Sequence, residues 1–200
     1  MKNVYLKKNE ERRIKSGHLW VFSNELEKIE GAPENGDVVK IFDSRKNLLG
    51  SGFFNNNSLI AVRFLSNEID FEVEPFLRKK INLASELRKK ICGERNSYRL
   101  VFSESDFLPG LIIDKYNETF VLQIYCSGIE KNIEVIVDEL KNLGAKNIFT
   151  KNDEYFRTLE KLPTEDKIYL GSVAEEVIEI NSIKYRSEEH TSELQSRHNL

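Results

Sequence analysis

The first third of the chain alternates short apolar runs with polar turns. The pattern predicts strands at residues 4–6, 37–42, 48–54 and 59–65, and the segment Asn55–Ser58 is a clear turn between two of them. The apolar and aromatic run Gly17–Ser23 lies between the first two strands. Several short strands within about 70 residues indicate a small β-barrel or sandwich.

The pattern changes to a helical one after Asn67. Pro75 is suited to the first turn of a helix, and Gly93 is suited to its end. Apolar residues between them recur at spacings of three and four: Phe76, Leu77, Ile81, Ala84, Leu87 and Ile91. This spacing predicts an amphipathic helix, which we expect to connect the first domain to a second one.

The remaining pattern predicts a second domain of strands, one helix and further strands. Residues 153–162 look irregular or partly helical. The predicted strands are 98–103, 111–116, 119–125, 147–150, 167–170, 177–180 and one that begins at residue 183, with a helix over 129–143. This order indicates an α+β sheet with one face covered. We therefore divide the chain into a domain at 1–70, a linker helix at 71–96 and a central α+β domain at 97–185.

The last fifteen residues do not fit this pattern. Leu194 and Leu200 are the only large apolar residues in 186–200, so we expect this segment neither to continue the strand from Ile183 nor to bury a helix face. The segment resembles a translated sequencing adapter, and we interpret it as non-native. A natural polar tail is the alternative.

Composition and charge narrow the class of protein. The 200 residues are 40% hydrophobic and carry a net charge of −3, which is typical of a folded globular protein. Basic residues concentrate in 1–20 and 78–99, where they could attract a phosphate backbone or simply form solvated helix and turn faces. Cys92 and Cys126 suggest neither a disulfide framework nor a zinc site. The chain shows no signal peptide and no apolar spanning segment, so we expect a cytoplasmic protein without a membrane or metal partner.

The segment between Ser97 and Gln123 carries the most specific motif. It reads as strand, acidic turn, strand, tight turn and strand, with three carboxylates at Glu104, Asp106 and Asp114. Carboxylates on a turn can do acid–base work or hold a metal, but we favour a structural role here. In that role Asp106 caps the Pro109–Gly110 turn and Arg99 pairs with Glu104.

Two blocks resemble one known family, the PUA-containing, SAM-dependent rRNA methyltransferases that modify cytosine at C5. The first block is Gly17–Ser23, which resembles the opening of the family's PUA domain, with Leu19 where the family has proline. The second resembles the signature of the family's central domain, and its matching residues are Glu104, Asp106, Pro109, Gly110, Leu111, Asp114 and Tyr116. The resemblance implies a PUA-like small β-barrel that binds RNA, with 23S rRNA as the partner.

The same resemblance, together with charge, selects candidate RNA-binding residues. Lys7, Arg12, Arg13 and Arg63 are expected to contact phosphates. His18 could stack on a base or be a partly buried histidine, and both interpretations stay open. Trp20 is expected to be packed in the core.

A motif expected for SAM binding is missing from the sequence. The ten glycines are scattered through turns, and no G-x-G follows a strand in a β-α-β unit. We therefore expect the Rossmann-like methyltransferase domain to be missing, so that the chain is a truncated RNA-recognition portion that binds no SAM, although the full-length family enzyme uses it. Cys92 and Cys126 are assigned no catalytic role. An exposed sheet edge near residue 185 predicts self-association. The alternatives are a stand-alone PUA-type RNA-binding protein and a protein-interaction module.

Overall fold

The computed structural model describes residues 2–172, 176–180 and 183–187, with side chains in the first of these ranges. Six strands form the first sheet, in the order β2-β6-β5-β4-β1-β3. Their bounds are β1 Asn3–Leu6, β2 Trp20–Phe22, β3 Leu26–Glu30, β4 Val38–Phe42, β5 Leu48–Phe54 and β6 Ile60–Ser66. A short helix, α1 (Glu11–Lys15), connects β1 to β2.

The first sheet is strongly curved. β1 and β4 run parallel, and the other neighbouring strands run antiparallel. Val21 from edge strand β2 lies in the same apolar cluster as Val4 from β1, near the other edge. The two edges therefore approach each other around a shared core. Strand β3 was not predicted, because only Leu26 and Ile29 are apolar in it.

The predicted amphipathic helix is confirmed as α2 (Val73–Cys92). It ends at Gly93, whose φ of 60° lies in the left-handed region that glycine adopts without steric cost. Leu77 and Ile81 on α2 are fully buried. Leu87 and Ile91, which the spacing placed on the same apolar face, are exposed, so the C-terminal half of the helix extends beyond its packing partner.

The second sheet is mixed and has the order β11-β10-β9-β8-β7. Its strands are β7 Ser97–Phe102, β8 Leu111–Tyr116, β9 Thr119–Ile124, β10 Asn147–Thr150 and β11 Ile168–Leu170. β9 and β10 are parallel, and α3 (Ser127–Lys131) and α4 (Ile133–Asn142) connect them. The predicted single helix is thus two helices separated at Asn132. The result is a β-α-β crossover, a topology that the predicted order of elements did not reveal.

The last described elements are α5 (Glu154–Leu159) and a hairpin. Asp153 precedes α5, and its side chain accepts a hydrogen bond from the Phe156 N–H at 3.2 Å. The hairpin consists of β12 (Glu176–Ile180) and antiparallel β13 (Ile183–Ser187). The expectation that the strand stops before residue 186 is wrong by two residues. Residues 188–200, most of the segment interpreted as non-native, lie outside the described residues.

The two domains share a core. Phe53 belongs to β5 of the first sheet, yet its buried ring lies in the apolar cluster of the second domain with residues from α2, α4 and the second sheet. Its ring sits directly against Gly128 of α3, where a Cβ atom would lie 2.0 Å from Phe53 Cγ. Only glycine allows so close an approach, and this contact fixes α3 against the first sheet.

Candidate nucleic-acid interface

Exposed cations lie together around α1. We call this surface the basic rim, and it consists of Lys7, Lys8, Arg12 and Lys15, all of them exposed. Lys7 Nζ donates a hydrogen bond to the Asn24 carbonyl at 2.8 Å, which orients it beside the turn before β3. Lys7 and Lys8 also line a depression of about 430 Å³ together with Lys28 and Lys46, and the carboxylates of Glu27, Glu30 and Asp43 line it as well. The basic rim can therefore attract a polyanion along one side of the first domain.

Arg13, the next predicted contact, is half-buried beside the basic rim. Its guanidinium lies 4.7 Å from the centroid of the Phe22 ring and 3.3 Å from a Glu25 carboxylate oxygen. The other Glu25 oxygen accepts the Phe22 N–H at 2.8 Å, which holds the carboxylate in place. Arg13 thus joins α1 to the strand β2 and keeps part of its side chain at the surface.

Arg63 lies away from the basic rim, in the interior between the domains. It is 7% exposed, and its Nη2 donates to Glu160 Oε1 at 2.7 Å and to the Tyr125 carbonyl at 3.2 Å. The predicted phosphate contact of Arg63 is therefore wrong for this structure, because its guanidinium is already bound inside the protein. The sequence did not reveal this, since Glu160 lies 97 residues further along the chain.

His18 is exposed and lines a cleft of about 560 Å³ between the first sheet and α2, which we call the domain cleft.

Trp20, expected in the core, is only half-buried. Its Nε1 donates to Glu104 Oε1 at 2.8 Å, which connects β2 to the acidic turn of the second domain. Trp20 therefore has a structural hydrogen bond between the two domains, whereas His18 is open to solvent.

The carboxylates of the motif have structural partners. Asp106 accepts from Arg88 Nη2 and from the Phe102 N–H, both at 2.6 Å, and Asp114 accepts from Arg99 Nε at 2.9 Å. The predicted pairing of Arg99 with Glu104 and the predicted cap by Asp106 are both wrong.

The hydroxyl of Ser103 supports the Pro109–Gly110 turn, since it accepts the Gly110 N–H at 2.9 Å. Within residues 2–172, where side chains are described, no cluster of three or more acidic, histidine or cysteine residues could hold a metal ion.

The two cysteines differ in burial. Burial raises the pKa of the Cys126 thiol, so it stays protonated at neutral pH. Cys92 is half-buried at the last residue of α2. Both thiols are free.

In the part of the chain that the structure describes, no helix is long and apolar enough to cross a bilayer.

Comparison with known proteins extends these observations. The model of the PUA-like domain matches residues 4–67. A candidate large-subunit ribosomal RNA methyltransferase of Methanocaldococcus jannaschii is 36% identical over 153 residues, which cover 76% of this chain and 39% of the relative. Ribosomal RNA large subunit methyltransferase I of Tolumonas auensis is 33% identical over 188 residues, which cover 90% of this chain and 47% of the relative. The chain therefore spans about half the length of the curated relatives it matches.

A solved structure shows the same fold. A candidate methyltransferase crystallised in complex with SAH aligns with a TM-score of 0.75 at 17% identity, covering 93% of this chain and 47% of the other. So long an alignment includes the second sheet as well as the PUA-like domain. It contradicts the prediction of a truncated RNA-recognition fragment that lacks the methyltransferase fold. That prediction relied on a missing glycine motif. Such a motif indicates the sequence of one loop, and it says nothing about the order of strands in a sheet.

The expectation that this chain binds no SAM gains no support from the comparison, because SAH is the product that SAM leaves after methyl transfer. The described glycines lie in turns, in β5 and in α3, and we assign none of them to SAM. The PUA-like domain at residues 4–67 is confirmed, and the chain is related by sequence to the large-subunit ribosomal RNA methyltransferases.

Proposed function

We propose that this protein acts in SAM-dependent methylation of large-subunit ribosomal RNA, and that its PUA-like domain holds that RNA. One observation carries the proposal: a PUA-like domain with an exposed basic rim shares a core with a second domain in a methyltransferase-type fold. A phosphate backbone is attracted by such a local cluster of cations even when the net charge is negative.

The proposal extends to the chemistry of the acceptor. We propose cytosine C5 of 23S-type rRNA as the methylated atom, which rests on the sequence motifs quoted above. Methylation at C5 needs a thiolate that adds to C6 of the ring. Cys126 does not supply this thiolate, because burial raises the pKa of its thiol and keeps it protonated.

We also propose a cytoplasmic location, which the two free thiols support.

Deletion of the gene from its source organism tests the activity. We expect large-subunit rRNA from the deletion strain to lack one methyl group, detected as a missing methylcytidine by nucleoside mass spectrometry. Reintroduction of the gene should restore it. Full retention of every methylated nucleoside in the deletion strain would contradict the proposed reaction.

Substitution of the basic rim tests the RNA-binding role. The double variant Lys7→Gln, Arg12→Gln should bind rRNA fragments more weakly and lower the slope of log affinity against log salt by about 2, since each phosphate contact contributes about one. Filter binding at several salt concentrations measures this. The matched control is Lys141→Gln, Lys146→Gln, which removes two exposed cations of the second domain. Equal slopes for both double variants would overturn the assignment of the rim.

The oligomeric state is a separate part of the proposal. We propose that the protein self-associates, and sedimentation velocity over a range of concentrations checks it. A single monomeric species at all concentrations would contradict self-association and leave the RNA-binding proposal unaffected.

A further inference from the structure

The domain cleft combines aromatic, cationic and acidic groups from both domains. His18 comes from the loop before β2, Phe64 from β6, and Phe76 from α2, and the ring of Phe107 from the acidic turn completes the apolar part. Its volume of about 560 Å³ lies within the roughly 300–1,000 Å³ of typical small-ligand sites. None of these residues belongs to the basic rim, so the cleft is a second surface to explain.

Phe107 has an unusual conformation and exposure. Its φ of 58° lies in the left-handed region, where a residue other than glycine is uncommon, and its side chain is 53% exposed. The backbone is held there because the Phe107 N–H donates to the Glu104 carbonyl and the Leu108 N–H donates to the Ser103 carbonyl. The turn thus holds an apolar ring at the surface, where a ligand can reach it.

A lysine lies on the same ring. Lys80 Nζ is 4.4 Å from the Phe107 ring centroid and 5.6 Å from that of Phe76. Burial lowers the pKa of Lys80, and the neighbouring Lys79 lowers it further. The negative charge of an anion in the cleft would offset both effects, as the carboxylate of Glu68 already does in part, so the two lysines suit a phosphate.

The linker before α2 adds hydrogen-bond acceptors. Glu68, Asp70 and Glu72 line the same cleft. Carboxylates accept hydrogen bonds from the exocyclic amino groups of bases, as they do from cytosine N4. A site with an exposed ring, paired lysines and carboxylates thus offers one partner for each part of a nucleotide.

We propose that the domain cleft binds one unpaired nucleotide of an RNA, with its base stacked on Phe107, its phosphate on Lys79 and Lys80, and its amino group on the acidic linker. The proposal rests on the proposed RNA-binding function and adds a second contact beyond the basic rim. An unpaired nucleotide is required, because a duplex hides the face of the base that must lie on the ring.

Fluorescence anisotropy with a labelled single-stranded RNA and with the same strand in a duplex tests the site. Phe107→Ala should weaken single-strand affinity about 5- to 100-fold, the range that one stacked base accounts for, and leave duplex affinity unchanged. Phe107→Tyr keeps the ring and should bind like the parent protein. Phe102→Ala is the matched control, because Phe102 is similarly exposed, at 47%, and does not line the cleft.

A further variant tests the phosphate contact. Lys80→Gln should lower the salt slope for the single strand by about 0.7. Two results would overturn the cleft proposal and leave RNA binding by the rim intact. One is equal single-strand affinity of the parent protein and Phe107→Ala. The other is an equal loss of affinity in Phe107→Ala and Phe102→Ala. Failure of the parent protein to bind either RNA would overturn the proposed RNA-binding function together with this site.

Discussion

Glu160 connects α5 to the first domain through one buried carboxylate. Its Oε1 accepts from Arg63 and from Ser58, both at 2.7 Å, and its Oε2 accepts from Asn55 Nδ2 at 2.7 Å. Glu160→Gln removes the charge that balances a buried guanidinium, which typically costs about 3–5 kcal/mol. We expect a loss of this size in the free energy of unfolding, measured by urea titration.

A surface pair provides the control for Glu160. Glu118 lies 2.7 Å from Lys146, and both side chains are mostly exposed. Glu118→Gln should change the free energy of unfolding by no more than about 1 kcal/mol, because water screens the pair. Equal effects of the two substitutions would show that Arg63 finds another partner when Glu160 loses its charge.

Asp37 predicts a pH dependence of stability. Burial raises the pKa of its carboxyl, but hydrogen bonds from Lys2, the Glu34 N–H and Lys131 outweigh burial and lower the pKa to about 2. A lowered pKa means that the folded state favours the ionised form, so this stabilisation is complete above the unfolded pKa, near 4, and is lost as pH falls towards 2. The stability difference between the parent protein and Asp37→Asn should therefore be constant above about pH 4 and shrink below it.

Urea midpoints measured across this pH range check the prediction for Asp37. Asp138→Asn serves as the control, because Asp138 and its partner Lys141 are both exposed. A difference that stays the same down to about pH 2 would contradict the role assigned to the three hydrogen bonds.

At the scale of elements, α3 packs on β5 through one glycine. Gly128→Ala would place a methyl group against the Phe53 ring, with no room between them. Overpacking of this kind typically costs about 1–3 kcal/mol. Phe53→Leu provides space, so the double variant should lose less stability than the sum of the single variants. Urea unfolding of the parent protein, the two single variants and the double variant gives the coupling free energy. Losses of stability that simply add would contradict direct contact between the two sites.

The sequence predicted most elements but not how they meet. Alternating apolar residues marked most strands, and the spacing along α2 marked that helix, because burial on one face leaves a local pattern. Parallel pairing of β9 with β10 leaves no such pattern, since it depends on contacts across a crossover. The same limit applied to the site. Exposed cations near α1 followed from local charge, whereas Arg63 could not be recognised as buried without Glu160.

At the scale of the whole molecule, the two domains form one structural unit. Phe53 enters the core of the second domain, Trp20 binds Glu104, Lys131 of α3 lies 3.1 Å from Asp37, and Arg63 binds Glu160. These contacts lie at different points along the interface and combine apolar packing, a hydrogen bond, a partly exposed ion pair and one buried ion pair. An RNA held on the basic rim would therefore have a fixed position relative to the second domain.

This coupling predicts one cooperative unfolding transition for both domains. Trp20 is the only tryptophan in the sequence and lies in the first domain, so its fluorescence reports unfolding there. The helical circular dichroism signal comes mainly from α2 and α4, which pack in the second domain. The two thermal curves should coincide, which is the standard test of two-state behaviour. Glu160→Gln and Gly128→Ala weaken the interface directly and should separate the curves. A fluorescence transition that precedes the dichroism transition in the parent protein would show that the domains unfold independently.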